Sequence, residues 1–505
     1  MEAIKETEKE TGNNKHYSTR NLIGLILGPI LFALVYFLIP ESALSHEPKI
    51  VLGVTLLVAT YWVTEPINMA ATALLPLVLI PAFNGVEIGS IAPAYGSSVI
   101  FMYGGGFVIA LAIQKWNLHR RIALNIIKMI GTKSNRIILG ILLATAAISM
   151  FVSNAATALM MLPVAVALIN EVKDKQILKG KNFEFFSKGI LLAVAYAATI
   201  GGLATLVAAV PNALLAGIAS SQLDRTVTFA EWLMFAGPVA LVLLIIVYFY
   251  LTKIQFKVDA EGEDTESTMA FIKEEIKKLG KFTSDEKKVA VVFSITVLLW
   301  TLSPFISALG FIPGNVGEFF DNLNDATISV FGALLLFFIP SSQKGERILE
   351  WADMKDLPWG ILILFGGGMA IAAAFGESGL NESIGNVLQM LQGMEYIFVL
   401  LLLVVFVLGI TEILSNTAVS NLILPLTVGL GIALGIDPLP LMAAAALAAG
   451  SCYMLPVATP PNTAVFSAGY LAVGDMAKAG VWLNIASIIV ITGAVYFWMP
   501  IVFGL

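Results

Sequence analysis

Apolar residues fill this chain in long blocks, and charges gather in the short stretches between them. The blocks near 21–39, 50–63, 67–82 and 96–114 predict four helices, with Glu65-Pro66 interrupting the second and third. A basic stretch follows, Lys115 to Arg136, with six Lys or Arg. Apolar positions resume over 137–170, and Lys173 to Lys188 then carries five more basic residues. Short basic loops stay on the cytoplasmic side of a membrane, so a segment flanked by two of them must enter and return. The segment 137–170 is therefore expected to be a re-entrant hairpin. Such backbone is tolerated only where it is buried in protein or lines a wet cavity.

The remainder follows from the same rule. Helices are expected at 189–218 and 232–252, then a cytoplasmic loop, 253–288, with eight lysines. Further helices fall at 289–306, 326–340 and 358–376, and the outer arm 377–395 has no basic residue. The block 396–434 is flanked outside by segments without a base, so it dips in from the outer side. Helices at 441–470 and 481–504 complete eleven spans and two opposed hairpins. This arrangement leaves 27 of the 29 Lys and Arg cytoplasmic, with only Lys49 and Arg225 outside. It puts the N-terminus inside, as a solvated tail over 1–20, and the C-terminus outside.

The two hairpins share a motif. Ser153-Asn154-Ala155 and Ser415-Asn416-Thr417 each follow a hydroxyl residue by four positions, Ser149 and Thr411, and each precedes a proline, Pro163 and Pro425. The offset between copies is 262 residues, and it also carries Gly104-Gly105-Gly106 onto Gly366-Gly367-Gly368. Two separated features with one offset imply a structural repeat. The hairpins enter from opposite sides, so the repeats are inverted, and transporters of that design hold substrate and ions near the midplane. Pro211-Asn212 and Pro461-Asn462 predict breaks in the helices 189–218 and 441–470, which free carbonyls for a cation and N–H groups for a carboxylate.

Composition agrees with this class. The chain is 58% hydrophobic and 13% charged with mean hydropathy +0.87, against about 25% charged in soluble domains. The fold class is an all-α polytopic membrane protein. The single cysteine, Cys452, excludes a disulfide framework within the chain and a cysteine metal cluster. A membrane enzyme would need a set such as HExxH or a buried Asp pair, and neither is present. A channel would build its filter from a symmetric ring of subunits. A cation/proton antiporter would want Asp or Lys near the breaks, and 199–217 and 451–469 hold neither. The glycine runs are assigned to close helix packing or flexible junctions rather than a phosphate loop, Glu412 to a structural or ion-tuning role, and Glu65 to a solvated helix end. His16, His46 and His119 fall outside the spans.

Paired Ser-Asn hairpin tips with Thr-Pro-Pro-Asn at 459–462 resemble the divalent anion/sodium symporter family, the INDY-type di- and tricarboxylate transporters. That resemblance implies a homodimer with elevator-like alternating access. Its scaffold helices would be 21–114 and 289–376, and its transport halves 137–252 and 396–504. The basic stretch 115–136, with 119–131 as an interfacial helix, and the outer segment 377–395 would be the arms between them. The resemblance implies substrate contacts at Ser153, Asn154, Ser415, Asn416, Thr417, Thr459 and Pro460. It implies sodium sites at Ser149, Ser153, Asn154 and the Ala208 carbonyl, and at Thr411, Ser415, Asn416 and the Ala458 carbonyl. The first half departs at Ala155 and at Ala209-Val210, where the family carries Thr and Thr-Pro. With hydroxyls missing there, the expectation leans to exchange of C4 or C5 dicarboxylates, with sodium-coupled symport as the alternative. No covalent cofactor and no nucleic acid are expected.

Overall fold

A computed structural model describes residues 18–258, 265–306, 318–320, 322–389 and 393–505. Most of the tail 1–20, including His16, lies outside the described residues, as do parts of the 253–288 loop and the 377–395 arm. The described residues are almost entirely helical. Nine of the helices are long and apolar enough to cross a bilayer, and several shorter apolar helices accompany them. The broken helices form the centre: Gly180–Leu203 and Pro438–Gly450 are almost wholly buried, whereas Thr19–Leu38 shows most of its apolar surface to the outside.

Most expected elements appear with shifted ends. The second helix is His46–Thr64, so it takes in Lys49, which is buried with its ammonium 5.5 Å from the Tyr36 ring. Its end is the left-handed Glu65, exposed as expected for a helix terminus. The third block, 67–82, forms two pieces, Met69–Thr72 and Leu75–Ala82, the second opening on Pro76 at a position where proline's missing N–H costs nothing. The last helix starts earlier, at Val473, and passes through a π turn at Ala494–Trp498.

Each expected hairpin is two helices around a four-residue turn. The first comprises Ser134–Ser149 and Asn154–Asp174, the second Tyr396–Thr411 and Asn416–Leu434. Polar contacts sort the ends of these helices onto two faces. One face carries Lys115–Asp353 at 2.7 Å, Arg120–Glu275 at 2.7 Å, Arg121–Glu286 at 2.9 Å and Lys188–Asp475 at 2.9 Å. The surface helix Thr265–Lys278 joins both ends of the first hairpin to that face. Its Glu275 holds Arg120 ahead of the hairpin, and its Ser267 Oγ lies 3.5 Å from Glu171 near the hairpin's end. The second hairpin ends at Asp437, which pairs at 3.1 Å with Arg225, and Arg225 also donates to the Phe503 carbonyl at 2.8 Å. The hairpins therefore hang from opposite faces.

The repeat reaches the connectors. The amphipathic helices Leu118–Ile130 and Leu380–Leu388 are related by the 262-residue offset. Each is preceded by a left-handed residue, Asn117 at φ 55° and Gly379 at φ 75°, and followed by a positive-φ glycine, Gly131 at 107° and Gly393 at 90°. Of the two roles expected for the glycine runs, close packing is the one seen. A Cβ on Gly105 would sit 2.7 Å from the Ser329 carbonyl oxygen, and one on Gly367 2.6 Å from that of Ala73.

Candidate functional site

The turns of the hairpins cap the helices that leave them. Ser153 and Ser415 are non-helical, at φ −54°, ψ 144° and φ −61°, ψ 134°, and each hydroxyl accepts from the backbone N–H three residues on, Ala156 at 3.4 Å and Ala418 at 3.5 Å. Asn154 and Asn416 are the first helical residues, so both tips present a helix N-terminus, the positive end of the peptide dipoles. Ser153, Asn154, Ser415, Asn416 and Thr417 are all half-buried, and Pro460 is exposed. Their partners in the expected cation sites, Ser149, Thr411, Ala208 and Ala458, are buried.

The buried hydroxyls make matching clusters. Ser149 Oγ lies 2.6 Å from the Ala198 carbonyl oxygen and 3.1 Å from Asn154 Oδ1. Thr411 Oγ1 lies 3.0 Å from the Ala449 carbonyl and 2.8 Å from Asn416 Oδ1. Each hydroxyl has one proton and two acceptors within reach, so each cluster is richer in oxygen lone pairs than in donors. The carbonyls that meet these hydroxyls come from Ala198 and Ala449, in the helices ahead of the breaks, rather than from the expected Ala208 and Ala458 within them.

Both predicted breaks are present. Residues 204–209 separate Gly180–Leu203 from Val210–Gln222, and 451–459 separate Pro438–Gly450 from Pro460–Phe466. The asparagine after each proline occupies the gap. Asn212 Nδ2 lies 3.1 Å from the Gly202 and Leu203 carbonyls and 2.8 Å from that of Thr205, and Asn462 Nδ2 donates to Leu455 at 3.0 Å. These bonds satisfy carbonyls that a proline-broken helix leaves without an N–H. Thr459 caps the second short helix, accepting from the Asn462 N–H at 3.3 Å, whereas Ala209 has no side-chain oxygen to do so. The departure at Ala209-Val210 thus removes a cap, and the acceptor cluster of the first half does not use it.

The elements cross-pack. The second arm of the first hairpin lies against Pro460–Phe466, and that of the second hairpin against Val210–Gln222. A Cβ on Gly450 would fall 2.5 Å from Leu203 Cδ2, so the ends of the two central half-helices meet.

Glu412, next to the second tip, has partners that its position in the sequence does not reveal. Its carboxylate accepts the N–H groups of Tyr453 at 2.9 Å and Met454 at 3.1 Å, and the Asn484 amide at 2.7 Å. The first half has Met150 at the equivalent place, and there the Thr205 hydroxyl bonds the Met150 carbonyl instead. Both staples hold a tip to a break.

Comparison with known proteins agrees with this geometry. The sodium:sulfate symporter transmembrane region matches residues 20–505. A sodium-dependent dicarboxylate transporter of Staphylococcus saprophyticus is 41% identical over 500 residues, covering 97% of this chain and 94% of that protein. A protein of the same description from Staphylococcus aureus is 41% identical over 495 residues, with the same coverage. Among solved structures, the YdaH transporter of Alcanivorax borkumensis aligns with TM-score 0.58 at 15% identity, covering 90% of this chain and 98% of that one. MtrF of Neisseria gonorrhoeae aligns with TM-score 0.57 at 14% identity, covering 92% and 96%, a likeness of fold alone. Inverted hairpins, duplicated Ser-Asn tips and these matches agree: the chain is a membrane transporter of the sodium:sulfate symporter family, the divalent anion/sodium symporters.

Proposed function

We propose that this protein is a sodium-coupled symporter of C4 and C5 dicarboxylates such as succinate, malate, fumarate and 2-oxoglutarate. The observation that carries this reading is the pair of acceptor clusters around Ser149 and Thr411, alike in both halves. Sodium coupling is preferred over the exchange expected from Ala155 and Ala209-Val210, because those positions lie outside the clusters. The curated relatives named as sodium-dependent dicarboxylate transporters support the same choice.

Electrostatics argue in the same direction. A charge at mid-bilayer costs roughly 2.5–3.5 kcal/mol on insertion scales, and the tips contain no Lys or Arg to offset a dianion. Two cations beside the tips would offset it, while the half-buried N-termini at Ser153 and Ser415, with the buried Thr459 hydroxyl, would donate to the carboxylates. Ser153, Asn154, Ser415, Asn416, Thr417, Thr459 and Pro460 are the proposed substrate contacts. Sodium would use Ser149, Ser153 and Asn154 with the Ala198 carbonyl, and Thr411, Ser415 and Asn416 with that of Ala449. Ala208 and Ala458 remain candidates for a further backbone oxygen each.

The basic face is proposed as cytoplasmic, with the N-terminus inside and the C-terminus outside the cell membrane. The two arm helices would carry the hairpins and broken helices as one body past a dimeric scaffold. Proteoliposomes test the coupling. Uptake of labelled succinate into vesicles without internal dicarboxylate is expected under an inward sodium gradient. Uptake that needs internal dicarboxylate and ignores sodium would overturn the proposal.

A further inference from the structure

A cavity of about 350 Å³ lies away from the hairpin tips, towards the face that carries Arg225. One wall comes from the proposed scaffold, with Ser98, Ser303 and Asp325, and the other from the proposed transport half, with Ser220, Thr226 and Thr228. Asp325 opens the helix Asp325–Phe338, and its Oδ2 accepts the Phe229 backbone N–H at 2.6 Å across the seam. Its other oxygen has no hydrogen-bond partner among the described residues. On the opposite wall, Glu231 accepts the Thr228 backbone N–H at 2.9 Å. Among the described residues, no Lys, Arg or His lines the cavity.

Ser303 supplies an independent observation. It is 2% exposed and lines the cavity, and its hydroxyl has no hydrogen-bond partner among the described residues. A serine in a helix ordinarily bonds the carbonyl one turn back, as Thr296 does to Val292 at 2.9 Å on the same helix. Ser303 makes no such bond, so its hydroxyl is left open to the cavity, where a water or an ion can take it up.

We propose that Asp325 and Ser303 hold a monovalent cation at this seam, separate from the ions beside the hairpin tips. The free carboxylate oxygen supplies one charge, and the serine hydroxyl, with others lining the cavity, supplies neutral oxygen, an all-oxygen set for a hard cation whose single charge matches one carboxylate. The negative charge excludes the dicarboxylate itself. Asp325 and Ser303 stand on the scaffold side while Phe229 and Thr228 stand opposite, so the ion occupies its site only while these walls meet. It therefore favours the arrangement of domains seen here, by an amount that grows with sodium concentration. This rests on the proposed division into scaffold and transport halves, and not on the identity of the transported acid.

The test is equilibrium binding of radioactive sodium to the purified full-length protein in detergent, without dicarboxylate. Asp325→Asn is expected to bind one ion fewer per chain, and Ser303→Ala to weaken one ion about tenfold. The double variant Ser149→Ala, Thr411→Val is expected to keep that ion at unchanged affinity while weakening both tip ions about tenfold and sodium-driven uptake with them. Trp300, whose indole donates to the Asp325 carbonyl at 3.0 Å, gives a second readout. A sodium-dependent change in tryptophan emission should vanish in Asp325→Asn. Unchanged stoichiometry in Asp325→Asn, unchanged affinities in Ser303→Ala, or loss of all ions in the double variant would each overturn the site. If Asp325→Asn fails to stay monodisperse, the Ser303→Ala affinity decides.

Discussion

Glu412 is 6% exposed and makes no ion pair among the described residues, yet it accepts from two backbone N–H groups and an amide. Donors aimed at a charged acceptor are worth about 1.5–3 kcal/mol each, and leaving them unsatisfied costs more than replacing the acceptor with another. Glu412→Leu should therefore lower stability by about 3 kcal/mol or more, and Glu412→Gln by clearly less, because one oxygen still accepts. Thermal unfolding in detergent separates the two. At Ser149 and Thr411 the effect belongs to transport. Ser149→Ala and Thr411→Val each remove one oxygen from an acceptor cluster, so each should raise the sodium concentration for half-maximal uptake about tenfold, with smaller effects on folding. A larger effect in only one half would mean that the halves are unequal, which the matching distances argue against.

Between residues and the whole stand the proposed arm helices. Helix Leu118–Ile130 lies between Asn117 and Gly131, and its counterpart Leu380–Leu388 between Gly379 and Gly393. Gly131 has φ 107°, a conformation that costs a side-chain-bearing residue roughly 1–2 kcal/mol. Gly131→Val should destabilise by about that amount. If the arm turns at this joint, it should also slow uptake more than it weakens sodium or substrate binding. Initial rates against half-saturation constants decide, and a change confined to stability would assign Gly131 to folding alone. The helix Thr265–Lys278 touches both the helix Leu118–Ile130 and the far end of the first hairpin. A disulfide between Ser267→Cys and Glu171→Cys is accordingly expected to stop uptake, and to release it on reduction.

For the whole molecule, the basic face is knitted by ion pairs whose carboxylates titrate low. Lys278 hydrogen-bonds Glu275 and, with the charges of Lys278 and Arg120, holds it below the usual range against the opposing effect of burial. Burial pushes Asp353 up, but the Lys115 hydrogen bond, the Glu350 N–H and the nearby lysines outweigh it and leave it low. A depressed folded value means stability that is present above the ordinary carboxylate range and lost as pH falls through the folded value. The melting temperature should therefore drop below about pH 4, and Asp353→Asn should flatten that drop slightly, since pairs this exposed contribute about 0.2–1 kcal/mol each. Melting curves between pH 7 and pH 3 measure it.

Much of this is legible in the sequence. The class, the hairpins, their opposed sense and the two breaks follow from apolar blocks, basic loops and proline, because a bilayer leaves backbone few ways to satisfy its hydrogen bonds. The duplicated tips follow from a shared offset, which belongs to the sequence itself. What the tertiary structure alone decided is pairing at a distance. That Ser149 meets Ala198 and Thr411 meets Ala449, that Asn212 and Asn462 fill the breaks, and that Glu412 holds the unwound stretch after Gly450 depends on which helices lie together. Packing chooses those neighbours from side-chain shape over the whole molecule, and no local pattern carries that information.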